Sequence, residues 1–131
     1  MILVDTSVWI DFFRGRNTPY RSILHELIAR DEDIGITGII LTEILQGIKD
    51  DKVSYKTREY LLEFPLYEPS GITTYIEAAN IYRHCLRKGK TIRKTIDCLI
   101  AAVAIENNLT LFHHDFDFDH IAQCTALRVM P

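Results

Sequence analysis

The sequence predicts an α/β domain in which a mostly parallel sheet is covered by helices on both faces. Three observations carry that reading. Short apolar runs of strand length recur at Ile2–Val4, Ile34–Thr37, Thr110–His113 and Leu127–Met130. Helical patterns separate them, which is the alternation that builds parallel sheets. The 131 residues, 47% hydrophobic and 25% charged, can fill one core, so residues 1–131 are expected to form a single domain.

Each element has its own signal. Ile2–Val4 is apolar and ends in an acid, as a buried strand does at its rim. Val8–Phe13 starts a helix with Trp9, Phe12 and Phe13 on one face, expected to be core. Gly15–Pro19 breaks the chain. Tyr20–Ala29 is amphipathic through Ile23, Leu24, Leu27 and Ile28. After the second strand, Gly38–Gln46 is helical and Gly47 suits its end. Lys52–Glu63 is a further helix. Phe64–Glu68 has strand composition, weakened by Pro65. Ile72–Arg87 is a long helix closed by Gly89, and Thr95–Asn107 is apolar enough to be central. Phe118–Gln123 is a short helix before the last strand.

Bulk features exclude several classes. No apolar run approaches the roughly 20 residues that span a bilayer, and MILVDTSVW lacks a basic leader, so a cytoplasmic protein is expected. Cys85, Cys98 and Cys124 fit no zinc spacing and read as reduced, buried thiols. The formal charge of −3 is mildly acidic, whereas a chain holding nucleic acid by bulk charge is basic. No Gly-rich phosphate loop occurs.

The acids stand in unusual places. Asp5 follows the first strand, Glu43 lies on the helix after the second, and Asp97 opens the most apolar helix. Asp115, Asp117 and Asp119 follow the strand TLFHH. Each has an ordinary reading: a helix cap at Asp5, a polar helix face at Glu43, pairing of Asp97 with Arg93, a solvated loop at 115–119. In a parallel sheet, however, the carboxyl ends of strands and the helix starts beyond them share one rim. The six acids are therefore assigned to one cleft, and the rest of the chain is net basic. Clustered carboxylates repel unless a hard cation neutralises them, and an all-oxygen set favours Mg²⁺ or Mn²⁺ over Zn²⁺. DFDFD is not a calcium loop, because His120 and Ala126 occupy its Gly and Glu positions. His113 and His114 point to opposite faces of a strand, one buried and one exposed; His113 is a candidate to orient phosphate or water.

From Ala78 to Ile96 there is no acid, and Arg83, Arg87, Lys88, Lys90, Arg93 and Lys94 lead directly to Asp97. Arg87, Lys88, Lys90, Arg93 and Lys94 are expected to hold a polyanionic backbone, RNA or DNA, while one phosphate meets the metal. The expected reaction is metal-assisted phosphodiester hydrolysis. Asp5, Asp97 and Asp115 ligate the ion, and Glu43 ligates it or positions the attacking water. One alternative is a phosphoacceptor signalling domain. It requires an acid pair where this chain has Asp5-Thr6, and a late Lys, yet no Lys follows Lys94. Another is a nucleic-acid-binding module without catalysis, which has no use for the rim acids.

The segments DTSVWIDFFRG, TEILQG and TIDCLIAAVAIENNLTLFHHDFDFDHIA, in this order, resemble PIN-domain ribonucleases, and most closely the VapC toxins of toxin–antitoxin pairs. By that resemblance the family's acids fall on Asp5, Glu43, Asp97 and Asp115. Asp117 matches the second acid of a D-x-D-F pattern, Thr6 matches a hydroxyl after the first acid, and His113 stands where Ser or Thr is frequent. The resemblance further implies an α/β/α sandwich, a homodimer and Mg²⁺- or Mn²⁺-dependent cleavage of single-stranded RNA. It also implies a cognate VapB-like antitoxin whose tail occupies the cleft.

Overall fold

The computed structural model describes residues 1–131. Four strands, β1 (Ile2–Val4), β2 (Ile34–Gly35), β3 (Thr110–Phe112) and β4 (Arg128–Val129), form one parallel sheet in the order β2-β1-β3-β4. Seven helices surround it: α1 (Thr6–Phe13), α2 (Pro19–Ala29), α3 (Gly38–Gln46), α4 (Asp51–Leu61), α5 (Ile72–Arg87), α6 (Thr95–Glu106) and α7 (Phe116–Cys124). Helices α1 to α4 pack on one another, as do α5 to α7, giving two helical layers around the sheet. The expected α/β/α sandwich is thus the observed fold.

Strand order places the site. From β1 the chain moves outward to β2, then returns past β1 to build β3 and β4 on the other side. The switch point lies between β1 and β3, where the connections diverge and leave a crevice at the carboxyl ends. Leu3 pairs with Leu111 and Val4 with Phe112, so Asp5 and the residues after Phe112 emerge side by side. The Asp5 amide donates to the Phe112 carbonyl at 2.9 Å, holding the two rims together.

The core explains the helices. In α6, Cys98 and Ile100 to Ala104 are all buried, so this helix is apolar on nearly every side. Trp9 is fully buried and its ring contacts Phe12, Phe13, Tyr60 and Phe64 at centroid distances of 5.4–6.5 Å. Phe12 is half-buried, but Phe13 is 37% exposed, so the expected core face is only partly internal. Trp9→Ala is expected to cost about 3–5 kcal/mol, the usual loss for a large buried ring, read as a lower urea midpoint.

The segment 64–68 does not form a strand. It makes a single bridge between Ile36 and Leu66. Pro65 has no N–H to extend a ladder, and the Tyr67 ring lies over Gly35, where any Cβ would collide with it. Helix α7 starts at Phe116, two residues earlier than expected, because Asp115 caps it by accepting from the Asp117 amide. The DFDFD run is therefore a helix start and no loop. All three cysteines are free and buried, and burial pushes the Cys98 thiol up to about 12, which makes it inert. No helix is long and apolar enough to cross a membrane.

Candidate active site

Asp5, Glu43, Asp97 and Asp115 line one cleft of about 290 Å³ with Thr6, Ser7, Ile10, Gln46 and Lys94. Four separate elements deliver the acids. Asp5 leaves β1, Glu43 sits one turn into α3, Asp97 lies in the first turn of α6, and Asp115 caps α7.

Each carboxylate is held differently. Asp5 caps α1, its Oδ2 accepting from the Ser7 amide at 3.1 Å and the Ser7 hydroxyl at 2.7 Å. Glu43 accepts the Thr6 hydroxyl at 2.8 Å. Asp115 accepts from the Asp117 amide at 3.0 Å and from Arg93 Nη2 at 3.1 Å. Asp97 is 5% exposed, and its Oδ2 is buried with no hydrogen-bond partner. Such an oxygen is costly as a charged group unless something neutralises it.

The electrostatics follow. Burial pushes the Asp97 carboxyl up to about 7, aided by the negative charges of Asp5 and Asp115 and opposed by Lys94. Burial pushes Asp5 up to about 6, against the lowering effect of its Ser7 hydrogen bonds, with Glu43 repelling it further. No three acids, imidazoles or thiols already stand close enough to chelate an ion unaided. The donor set is nonetheless all oxygen on a water-accessible rim, with one buried oxygen unpartnered. That fits a hard divalent cation bound through waters as well as carboxylates, and does not fit a closed zinc cage.

Other expected residues are placed elsewhere. Asp97 does not pair with Arg93. Arg93 instead binds Asp117, through its backbone N–H at 3.2 Å and Nε at 3.0 Å, and also Asp115. Asp117 is buried behind the rim by that pair and does not line the cleft, so it acts on the site through Arg93 and Asp115. Asp119 is not in the cleft; its half-exposed carboxylate meets His113 Nε2 at 3.3 Å. Both α7 acids turn away because the helix starts before them. His113 is buried and His114 exposed, as expected, although β3 ends at Phe112 and strand alternation is therefore not the cause. His113 Nδ1 accepts from the Asp115 amide at 3.0 Å, so Nε2 carries the proton toward Asp119. Burial lowers the His113 pKa. Its ring is committed to shaping the Asp115 turn, which leaves no free nitrogen for phosphate.

Of the basic run, Lys94 lines the cleft and Arg93 borders it. Arg87 lines a different cavity along α5 and α6, with Glu77 and Glu106. Lys88 and Lys90 lie at the end of α5 and past it, away from the lining. Sequence reading missed Ser7 and the lining role of Gln46. Ser7 follows Asp5 by two residues, the spacing of a side-chain-capped helix start. Gln46 follows Glu43 by three, the spacing of one helix face. Ser7→Ala removes the hydroxyl that donates to Asp5 and accepts the His114 amide, and leaves Asp5 only the Ser7 backbone N–H. Any metal-dependent activity of the cleft is expected to fall about 10- to 100-fold, with its metal titration displaced to higher concentration.

A parallel sheet with carboxylates gathered at its switch point defines a class of acid-cluster α/β domains suited to phosphate chemistry. This chain belongs to the PIN-domain family, whose model matches residues 2–123. It is 37% identical over 132 aligned positions to VapC ribonuclease Mb1587 of Mycobacterium bovis and to Ribonuclease VapC11 of Mycobacterium tuberculosis. Each alignment covers 98% of this chain and 96% of the relative. Its fold is similar to a chain in the structure of VapBC2 from Rickettsia felis bound to a promoter DNA fragment, with a TM-score of 0.76 at 21% identity. That match covers 99% of this chain and 98% of the other. A chain of VapBC-1 from nontypeable Haemophilus influenzae matches with a TM-score of 0.76 at 20% identity, over 99% and 97% of the two chains.

Proposed function

We propose that this chain is a divalent-metal-dependent endoribonuclease and the toxin of a VapBC-type toxin–antitoxin pair, acting in the cytoplasm as one nuclease domain over residues 1–131. The observation that carries the reading is the convergence of Asp5, Glu43, Asp97 and Asp115 from four elements, with a buried, unpartnered Asp97 oxygen among them. The VapC ribonucleases similar along the whole chain support RNA as the substrate.

Asp5, Asp97 and Asp115 are the residues that would hold Mg²⁺ or Mn²⁺. The ion would activate water and neutralise charge on the scissile phosphate. Glu43, fixed by Thr6, orients the attacking water and accepts its proton. Lys94 supplies a positive charge at the rim for a phosphate oxygen. Ser7 fixes Asp5, and Arg93 with Asp117 and His113 fixes Asp115. In-line attack leaves a 5′-phosphate and a 3′-hydroxyl.

The partners in this reading are RNA, a second copy of the chain and a VapB-like antitoxin. A groove of about 210 Å³ beside the cleft is lined by Ile10, Phe13, Ile44, Ile48 and Val53, and shares Glu43 with it. An amphipathic antitoxin helix seated there would stand at the mouth of the site. The test is incubation of a total RNA pool with and without Mg²⁺ or Mn²⁺, followed by mapping of the cut ends. Metal-dependent internal cuts support the reading; RNA bound without turnover in either metal would favour a non-catalytic module.

A further inference from the structure

We propose that the pocket next to the carboxylate cleft seats one unpaired nucleobase of the RNA strand, with Phe116 as its stacking ring. The inference rests on the ribonuclease reading and deepens it. The pocket measures about 690 Å³ and is lined by Tyr20, Arg93, Phe112, His114, Phe116 and Asp119, among others. That volume falls in the range of ligand sites. It adjoins the cleft directly, because Asp115 lines both.

Four observations point to a base. First, Phe116 is 77% exposed although it directly follows the cleft residue Asp115. Packing does not explain an aromatic ring there, whereas single-stranded nucleic acid is bound by stacking bases on such rings. Second, the pocket already holds a stacked pair: Tyr20 and His114 lie 4.0 Å apart at 15°. Asp11 fixes the His114 ring at 3.2 Å, and the Ser7 hydroxyl accepts its backbone N–H at 2.9 Å, so this aromatic surface is held in place. Third, the Arg93 guanidinium is 65% exposed, and only Nε and Nη2 are engaged by Asp117 and Asp115. A planar cation between a phosphate site and a ring suits a nucleotide that spans both. Fourth, the exposed Asp119 carboxylate on the lining repels phosphate. With a divalent ion neutralising the cleft carboxylates, the backbone is turned to the cleft and the base to the pocket.

Other surfaces lack this combination. Ile72, Tyr75 and Ile76 are exposed on α5, but they line neither the cavity along that helix nor the carboxylate cleft.

The test uses the full chain in Mg²⁺ with short single-stranded RNAs, each carrying one abasic residue at a successive position. In the wild type, an abasic residue at one position beside the cut is expected to raise KM about 10-fold or more, the scale of one lost base–ring stack. Phe116→Leu and Phe116→Ala should raise KM by the same factor on intact RNA, and the abasic residue should then add nothing. Phe116→Trp should keep wild-type KM. Phe116 is exposed and begins a helix, so these substitutions leave the core untouched. A wild-type KM in Phe116→Leu, or tolerance of an abasic residue at every position, overturns the inference. So does a variant that keeps its RNA affinity and loses affinity for the antitoxin, which assigns the pocket to the protein partner. If the wild type cuts no RNA, the ribonuclease reading fails separately. Anisotropy of uncut RNA on the same variants then still decides whether Phe116 holds a base.

Discussion

Asp97→Asn is expected to abolish RNA cleavage, by at least about 10³-fold, while leaving the fold intact. The magnitude is that of losing a charged group needed in the transition state. The same substitution is expected to stabilise the metal-free protein near pH 8. At that pH the wild-type carboxylate is ionised although it is buried, repelled by Asp5 and Asp115, and lacks a partner for Oδ2. Its rise from 3.8 to about 7 corresponds to an opposition on the order of 2–4 kcal/mol that an amide does not suffer. Activity and stability thus move in opposite directions, as expected where function maintains a strained site. Paired cleavage assays and thermal melts of the two proteins measure both. A residue placed only for structure would lose stability when replaced.

The second large effect is on pH and metal together. Asp97 and Asp5 have folded-state values of about 7 and about 6, both above their unfolded value of 3.8. Between those values the folded state holds protons that the unfolded state has released. Their contribution to stability is therefore fully present below about pH 4 and is lost as pH rises through 6 to 7. His113 works in the opposite sense, because its lowered value costs stability as pH falls below 6.5. The difference between wild type and Asp97→Asn isolates the carboxylate: the variant's advantage should be small near pH 4 and should grow to its full size by pH 8. A divalent ion competes with those protons, so Mg²⁺ or Mn²⁺ should raise the wild-type melting temperature more at pH 8 than at pH 5.5. Asp97→Asn should lose most of that rise.

Much of this arrangement was legible in the residues. The strand–helix alternation and the acid ending the first strand predicted a parallel sheet with its site on the carboxyl rim. All four acids singled out for catalysis do meet there. What escaped was set by side-chain direction and local capping. Asp115 caps α7, so the helix begins early and carries Asp117 behind the rim and Asp119 to its outside. Spacing along a presumed loop could not show that. Arg93 lies four residues before Asp97 but outside α6, so the helical i, i+4 rule did not apply and it paired with the α7 acids. Arg87, Lys88 and Lys90 share a charge run with Lys94, yet the end of α5 and the turn at Gly89 separate them from the cleft. The acidity of the chain also has a narrower cause than one cleft of six acids. Four line the site, and Asp117 is largely cancelled by Arg93. The metal-free cleft should still repel RNA, because Lys94 alone opposes four carboxylates among the groups lining it.

The most direct test is a time course on one defined single-stranded RNA, first in excess chelator and then after Mg²⁺ or Mn²⁺ is restored, with both product ends identified. A carboxylate-held metal site predicts no cleavage in chelator, recovery with the ion, and products bearing a 5′-phosphate and a 3′-hydroxyl. Undiminished cleavage in chelator, or products ending in a 2′,3′-cyclic phosphate, would contradict it.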